Sequence, residues 1–175
     1  MASFDPTRLN GVGLVGLARV GYRHQAPGFD PRSSEGARRF GGRYNPPRSF
    51  PVIYLCLTRR CVAAELKRQA IRQGIQVEDL LPRELWSIAT DLEKVLDLSD
   101  ASVLTAAGVR PADLVRPGHA LTQQIGEAAH ERGIQAITAP SATGVDEVLA
   151  LFPENLGGAT LQVELVEMWE SSQDM

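Results

Sequence analysis

The chain has 175 residues, 43% hydrophobic and 22% charged, with a formal net charge of −3, the profile of one globular domain with room for a real core. No apolar run approaches the ~20 residues of a membrane-spanning helix, and MASFDPTRLN is not a signal-peptide pattern. Membrane and secreted disulfide-scaffold classes are set aside, and a cytoplasmic protein is expected.

Residues 1–15 read as a loosely ordered lead that becomes Gly-rich and apolar. Within it GVGLVG (11–16) matches the dinucleotide fingerprint GxGxxG, but the context fails. That site needs a buried strand before the first glycine and a helix after it. Here mostly polar residues precede, and the following LARVGYR (17–23) reads as a first strand. Residues 24–50, rich in Gly, Pro, Ser and Arg, predict a long, patterned and therefore functional loop, with a short strand around Gly42–Tyr44.

PVIYLCL (51–57) predicts a buried strand. Thr58 is a plausible N-cap for a helix from Arg59 to Gln73, ended by Gly74. LWSIATDL and KVLDL (85–98) predict two strands joined by a turn, and Ser99 or Asp100 caps a short helix ending at Gly108. A further helix runs from Leu121 to Arg132, with Leu121, Ile125, Ala128 and Ala129 on one face and Gly133 closing it. IQAITAP (134–140) is a strand leading into the loop SATGVDE, and ATLQVELVEMW (159–169) is a last strand. Strict βαβ alternation is missing. The expectation is therefore a single α+β domain over 1–175, with mixed or antiparallel sheets and flanking helices.

Cys56 and Cys61 lie five apart without a CxxC pattern and read as two small buried side chains with no disulfide between them. The three histidines, His24, His119 and His130, form no metal constellation. Glu127 and His130 have ExxH spacing but no second copy to complete a di-iron site. No metal is expected.

Charge is unevenly spread: residues 1–75 hold 13 Lys/Arg against 4 Asp/Glu, and residues 76–175 hold 5 against 17. The split fits an anionic ligand on one face and a charged partner on another, or two halves that interleave on folding and cancel.

The stretch 35–65, EGARRFGGRYNPPRSFPVIYLCLTRRCVAAE, carries the candidate site. Glycines let the backbone approach a ligand, and arginine forks match phosphate oxygens. Tyr54 falls mid-strand in a buried run, where its hydroxyl needs a partner or a mouth to solvent. Glu65 falls beside the apolar stripe of its helix, where a carboxylate is costly unless paired. A Gly-Gly hairpin with solvated arginines and an internal Glu65 salt bridge would account for the same residues. The other reading is a site: arginine for phosphate, tyrosine for stacking, glutamate for a developing cation.

In GARRFGGRYNPP (36–47), PVIYL and AAE, whose glutamate follows Tyr54 by eleven residues, the chain resembles the RES-domain toxins of bacterial toxin–antitoxin modules. GYR (21–23) and APSATG (139–144) extend the resemblance more loosely. Tyr44 stands where the family usually has tryptophan, an aromatic exchange that leaves stacking possible. Arg23 matches the family's first arginine, with Arg19 four residues away, and its serine maps to Ser141.

The resemblance implies a fold similar to ADP-ribosyltransferases and an NAD-consuming activity. It implies Glu65, Tyr54 and Arg43 as catalytic residues, and Arg23, Arg43, Tyr54 and Ser141 as NAD-binding residues. NAD would be substrate rather than cofactor, degraded by cleavage of the nicotinamide–ribose bond with water or phosphate as acceptor. An ADP-ribosyltransferase acting on a protein target is the alternative. An Xre-type antitoxin is the implied partner, and any nucleic-acid contact would pass through it. A nucleic-acid-binding module, suggested by the basic front, is a distant rival, because no recognition helix, RNP-type aromatic motif or zinc finger accompanies it.

Overall fold

The computed structural model describes residues 4–175, and its strands close on themselves. β1 (Val15–Gln25) pairs antiparallel with both β2 (Ile53–Cys56) and β3 (Arg83–Asp97). β2 pairs with β5 (Glu147–Leu151) and β5 with β4 (Ala136–Pro140), while β4 runs parallel to β3 and completes the ring. β6 (Gln162–Trp169) adds antiparallel to β3. This mixed sheet with helices around it is the α+β class expected. Of the lead, residues 1–3 lie outside the described residues, and Pro6–Gly11 forms a 3-10 turn with Leu9 buried.

Each helix covers one stretch of the ring. α2 (Arg59–Gln73) has the bounds its caps predict: Thr58 is extended and its Oγ1 accepts from the Cys61 amide at 3.2 Å, and Gly74 adopts a left-handed φ of 68°. It buries Cys61, Val62 and Leu66 against Leu85 and Trp169. Asp100, rather than Ser99, caps α3 (Ala101–Ala107) by accepting from the Ser102 and Val103 amides. α3 and α5 (Ala120–Glu131) pack with Leu96, Leu98, Ile137 and Phe152, and α4 (Pro111–Leu114) joins them through Leu114.

Four local expectations are corrected. Segment 24–50 contains a helix, α1 (Glu35–Phe40), and the expected strand at Gly42–Tyr44 is only a single bridge between Gly42 and Asn45. The two strands expected at 85–98 are one strand. The polar Glu93–Lys94 pair does not turn, because both amides donate to Gln135 Oε1, at 2.8 and 3.0 Å, and the chain stays extended. β5 was not foreseen, although it is a central strand whose Leu149, Ala150 and Leu151 are fully buried. Cys56 and Cys61 form a disulfide, because the corner from β2 into α2 leaves their Cα atoms 5.6 Å apart, within bonding range.

Candidate active site

The GGRYN segment is a clamped loop rather than a solvated hairpin. Tyr54, on β2, accepts a 2.8 Å hydrogen bond from the Tyr44 amide and donates one of 2.8 Å to Asn45 Oδ1. Asn45 Nδ2 donates to the Ala37 carbonyl at 2.7 Å, and Gln123 Nε2, from α5, donates to the Gly42 carbonyl at 2.9 Å. A Cβ at Gly42 would sit 2.5 Å from the Tyr54 hydroxyl, so only glycine fits there. A Cβ at Gly126 of α5 would collide with the Tyr44 carbonyl. Tyr44 itself is fully buried and packs in the core, so the stacking expected of this position does not fall to it.

The clamped loop forms one wall of a cleft of about 650 Å³, within the usual range for small-molecule sites. The opposite wall is α2, which turns Glu65, Arg68, Gln69 and Arg72 toward the cleft, one helical face at i, i+3, i+4 and i+7. Glu65 is the one carboxylate lining it among the described residues. Ser141, buried just beyond the end of β4, donates to Glu65 Oε1 at 2.9 Å, and Arg68 lies 3.7 Å from Oε2. The Thr143 amide donates to Ser141 Oγ at 3.1 Å, and the Thr143 hydroxyl lies 2.6 Å from it. Glu65 is thus held from two sides while 28% of its side chain stays exposed to the cleft.

Positive charge dominates the rest. Arg23, Arg43, Arg68, Arg72 and Arg83 all line the cleft. Arg23 Nη1 donates to the Pro31 and Ser33 carbonyls, at 3.0 and 2.9 Å, and Arg43 Nη1 to the Leu114 and Arg116 carbonyls, both at 2.9 Å. These bonds aim the guanidiniums. Arg23 Nε and Arg43 Nη2 are buried and find no acceptor among the described residues. Burial lowers the Arg23 guanidinium to about 10 and, followed by the nearby Arg68 charge, pulls Arg43 below its ordinary value. Burial and the charges of Arg83 and Arg23 lower His24 to about 4, so it is neutral near pH 7. Unpartnered donors in a cationic cleft are what an anionic ligand satisfies.

Glu65, Ser141, Tyr54, Arg43 and Arg23 all converge on this cleft, Ser141 through Glu65. Arg19 is exposed on β1 and does not line it, which separates the two arginine candidates by position. Sequence reasoning passed over Arg68, Arg72, Arg83, His24, His119 and Gln123. The first two were within reach, since they follow Glu65 at helical spacing.

The profile of the RES domain family matches residues 17–170. The chain is 33% identical over 159 residues to the protein named NAD(+) phosphorylase MbcT of Mycobacterium bovis, and to that of Mycobacterium tuberculosis, covering 89% of this chain and 85% of each relative. Among solved structures, a chain of the M. tuberculosis MbcT–MbcA toxin–antitoxin complex superposes with a TM-score of 0.78 at 28% identity, over 92% of this chain and 91% of that one.

Proposed function

Because the chain belongs to the RES domain family, we propose that it is the toxin of a toxin–antitoxin pair and destroys NAD by cleaving the nicotinamide–ribose bond. The observation that carries this reading is Glu65: the one carboxylate among the described lining residues, fixed by Ser141 and flanked by Arg68, in a cleft that five arginines also line. As the bond breaks, positive charge grows on the ribose in an oxocarbenium-like state. A carboxylate already in place gains interaction as that charge develops, so its contribution appears in the transition state.

The remaining residues bind and orient. Arg23 and Arg43 hold the pyrophosphate through charge-assisted bonds from the donors left free. The Tyr54 ring lines the cleft and packs on the nicotinamide side, while its hydroxyl keeps the loop shut. Ser141 keeps Glu65 turned toward the ribose. NAD is consumed as substrate, and no cofactor or metal is needed, since nicotinamide leaves as a neutral group.

Phosphate is the acceptor in this reading, in line with the activity named for the two relatives. An antitoxin of the Xre type covers the cleft and carries any nucleic-acid contact. No helix among the described residues is long and apolar enough to cross a membrane, and in this reading the protein acts on NAD in the cytoplasm. Chromatography of NAD incubated with the protein, with and without phosphate, tests the acceptor. The expected product is an ADP-ribose phosphate that forms only when phosphate is present. Free ADP-ribose at the same rate in both buffers would make water the acceptor.

A further inference from the structure

The cations of the cleft fall into two groups. His24 is depressed first by burial and then by Arg83 and Arg23, whereas His119 is depressed first by burial and then by Arg43, Arg68 and Arg72. Arg23 and Arg83 stand on the paired strands β1 and β3, whereas Arg68 and Arg72 stand on α2, so the cleft has two cationic poles. Each pole also holds a buried donor with no acceptor among the described residues: Arg23 Nε at the first, Arg43 Nη2 at the second. In the proposed reading the pyrophosphate takes Arg23 at the first pole and Arg43 at the second. The second is left with Arg68 and Arg72 one turn apart on α2, a like-charge pair that is unfavourable unless an anion lies between them. Its only acidic neighbour among the described lining residues is Glu65, already engaged by Ser141.

We propose that Arg68, Arg72 and His119 form a second anion subsite that takes a phosphate dianion, separate from Arg23 and Arg43, which hold the pyrophosphate. Resting on the NAD-cleaving reading, the assignment names the residues that deliver the acceptor. Arg68 lies 3.7 Å from Glu65, so an anion held there stands next to the carboxylate that faces the ribose. A phosphate oxygen then bonds to the ribose C1 as the C1–nitrogen bond breaks, and that bonding pair leaves with nicotinamide. NAD⁺ and hydrogen phosphate give ADP-ribose 1-phosphate and nicotinamide, balanced in atoms and charge with no further reactant. The same subsite chemistry would fit the 2′-phosphate of NADP⁺, and the experiment separates the two sources.

The test is binding of inorganic phosphate, followed by ³¹P NMR, to the wild type and to Arg68→Gln, Arg72→Gln and Arg23→Gln, with thermal melts as a folding control. Arg72 is exposed, so its variant should fold even where another does not. Phosphate binding should weaken at least about tenfold in Arg68→Gln and Arg72→Gln and stay within about threefold in Arg23→Gln. In turnover assays the same two variants should raise the KM for phosphate and leave the KM for NAD within about threefold. Phosphate that competes with NADP⁺ but not with NAD assigns the subsite to the 2′-phosphate. Phosphate that competes with neither and drives turnover assigns it to the acceptor. Unchanged phosphate binding in Arg68→Gln and Arg72→Gln, or equal loss in Arg23→Gln, overturns the subsite. Loss confined to the first two variants, with no nicotinamide released by the wild type, keeps the subsite and removes the NAD reading instead.

Discussion

Ser141 and His24 each put a physical claim within reach of one substitution. Ser141 gives Glu65 a hydrogen bond from a buried position, so its effect on chemistry passes through the carboxylate. Ser141→Ala is expected to lower kcat about tenfold with NAD affinity kept, because orientation is lost while the binding groups remain. A lowered Tm with unchanged kcat would make the serine merely structural. His24 titrates in the opposite sense to a salt-bridged histidine. Its folded value of about 4 lies below the 6.5 of the free side chain, so the unfolded chain takes up the proton first as pH falls. The stability from neutral His24 is complete above about pH 6.5 and is lost as pH falls toward 4, by at most about 3 kcal/mol. Denaturant unfolding between pH 7 and 4 should show this slope, and His24→Gln should flatten it.

At the scale of elements, legibility followed how local the determining physics is. α2 could be read to its ends because Thr58 and Gly74 act within one turn of themselves. β5 could not, because Val148, Leu149, Ala150 and Leu151 suit a buried helix as well as a strand, and only pairing with β2 and β4 decides. α1 buries no residue, and its Arg38–Glu35 pair, at 2.7 Å, is ordinary surface chemistry. Four of the five residues singled out for the site, Arg23, Arg43, Tyr54 and Glu65, could be picked because 23–65 is patterned, and Ser141 came from APSATG further on. Arg83, His24 and His119 were not, since the fold alone brings them to the cleft. The loop element carries its own prediction. Gly42→Ala pushes a methyl group onto the Tyr54 hydroxyl, 2.5 Å away, and must open the loop that positions Arg43. The expected outcome is a lower Tm and NAD binding weakened at least about tenfold by calorimetry, as for other overpacked sites that cost about 1–3 kcal/mol. Wild-type affinity in that variant would mean the loop does not order the site.

Across the whole molecule, the charge asymmetry is cancelled on one surface and kept in the cleft. Arg59 pairs with Glu167, and Arg60 with Asp146 at 2.6 Å, so the basic front and acidic back interleave on that surface. Hydrogen bonds from Arg60 and Thr58 pull Asp146 down to about 2. In the cleft neutralisation is slight: among the described residues five arginines line it, and Glu65, 3.7 Å from Arg68, is the one carboxylate. The ring of strands makes this possible, because β1, β2 and β3 bring residues from distant parts of the chain to one mouth. The central claim is that Glu65 drives cleavage of NAD in this cleft. A proton NMR time course of NAD in phosphate buffer, with wild type and Glu65→Gln side by side and NAD binding measured for both, tests it most directly. The account predicts nicotinamide release by the wild type, slowed about a hundredfold or more in Glu65→Gln at similar NAD affinity. Intact NAD with the wild type, or release by Glu65→Gln within a few-fold of it, would contradict the account.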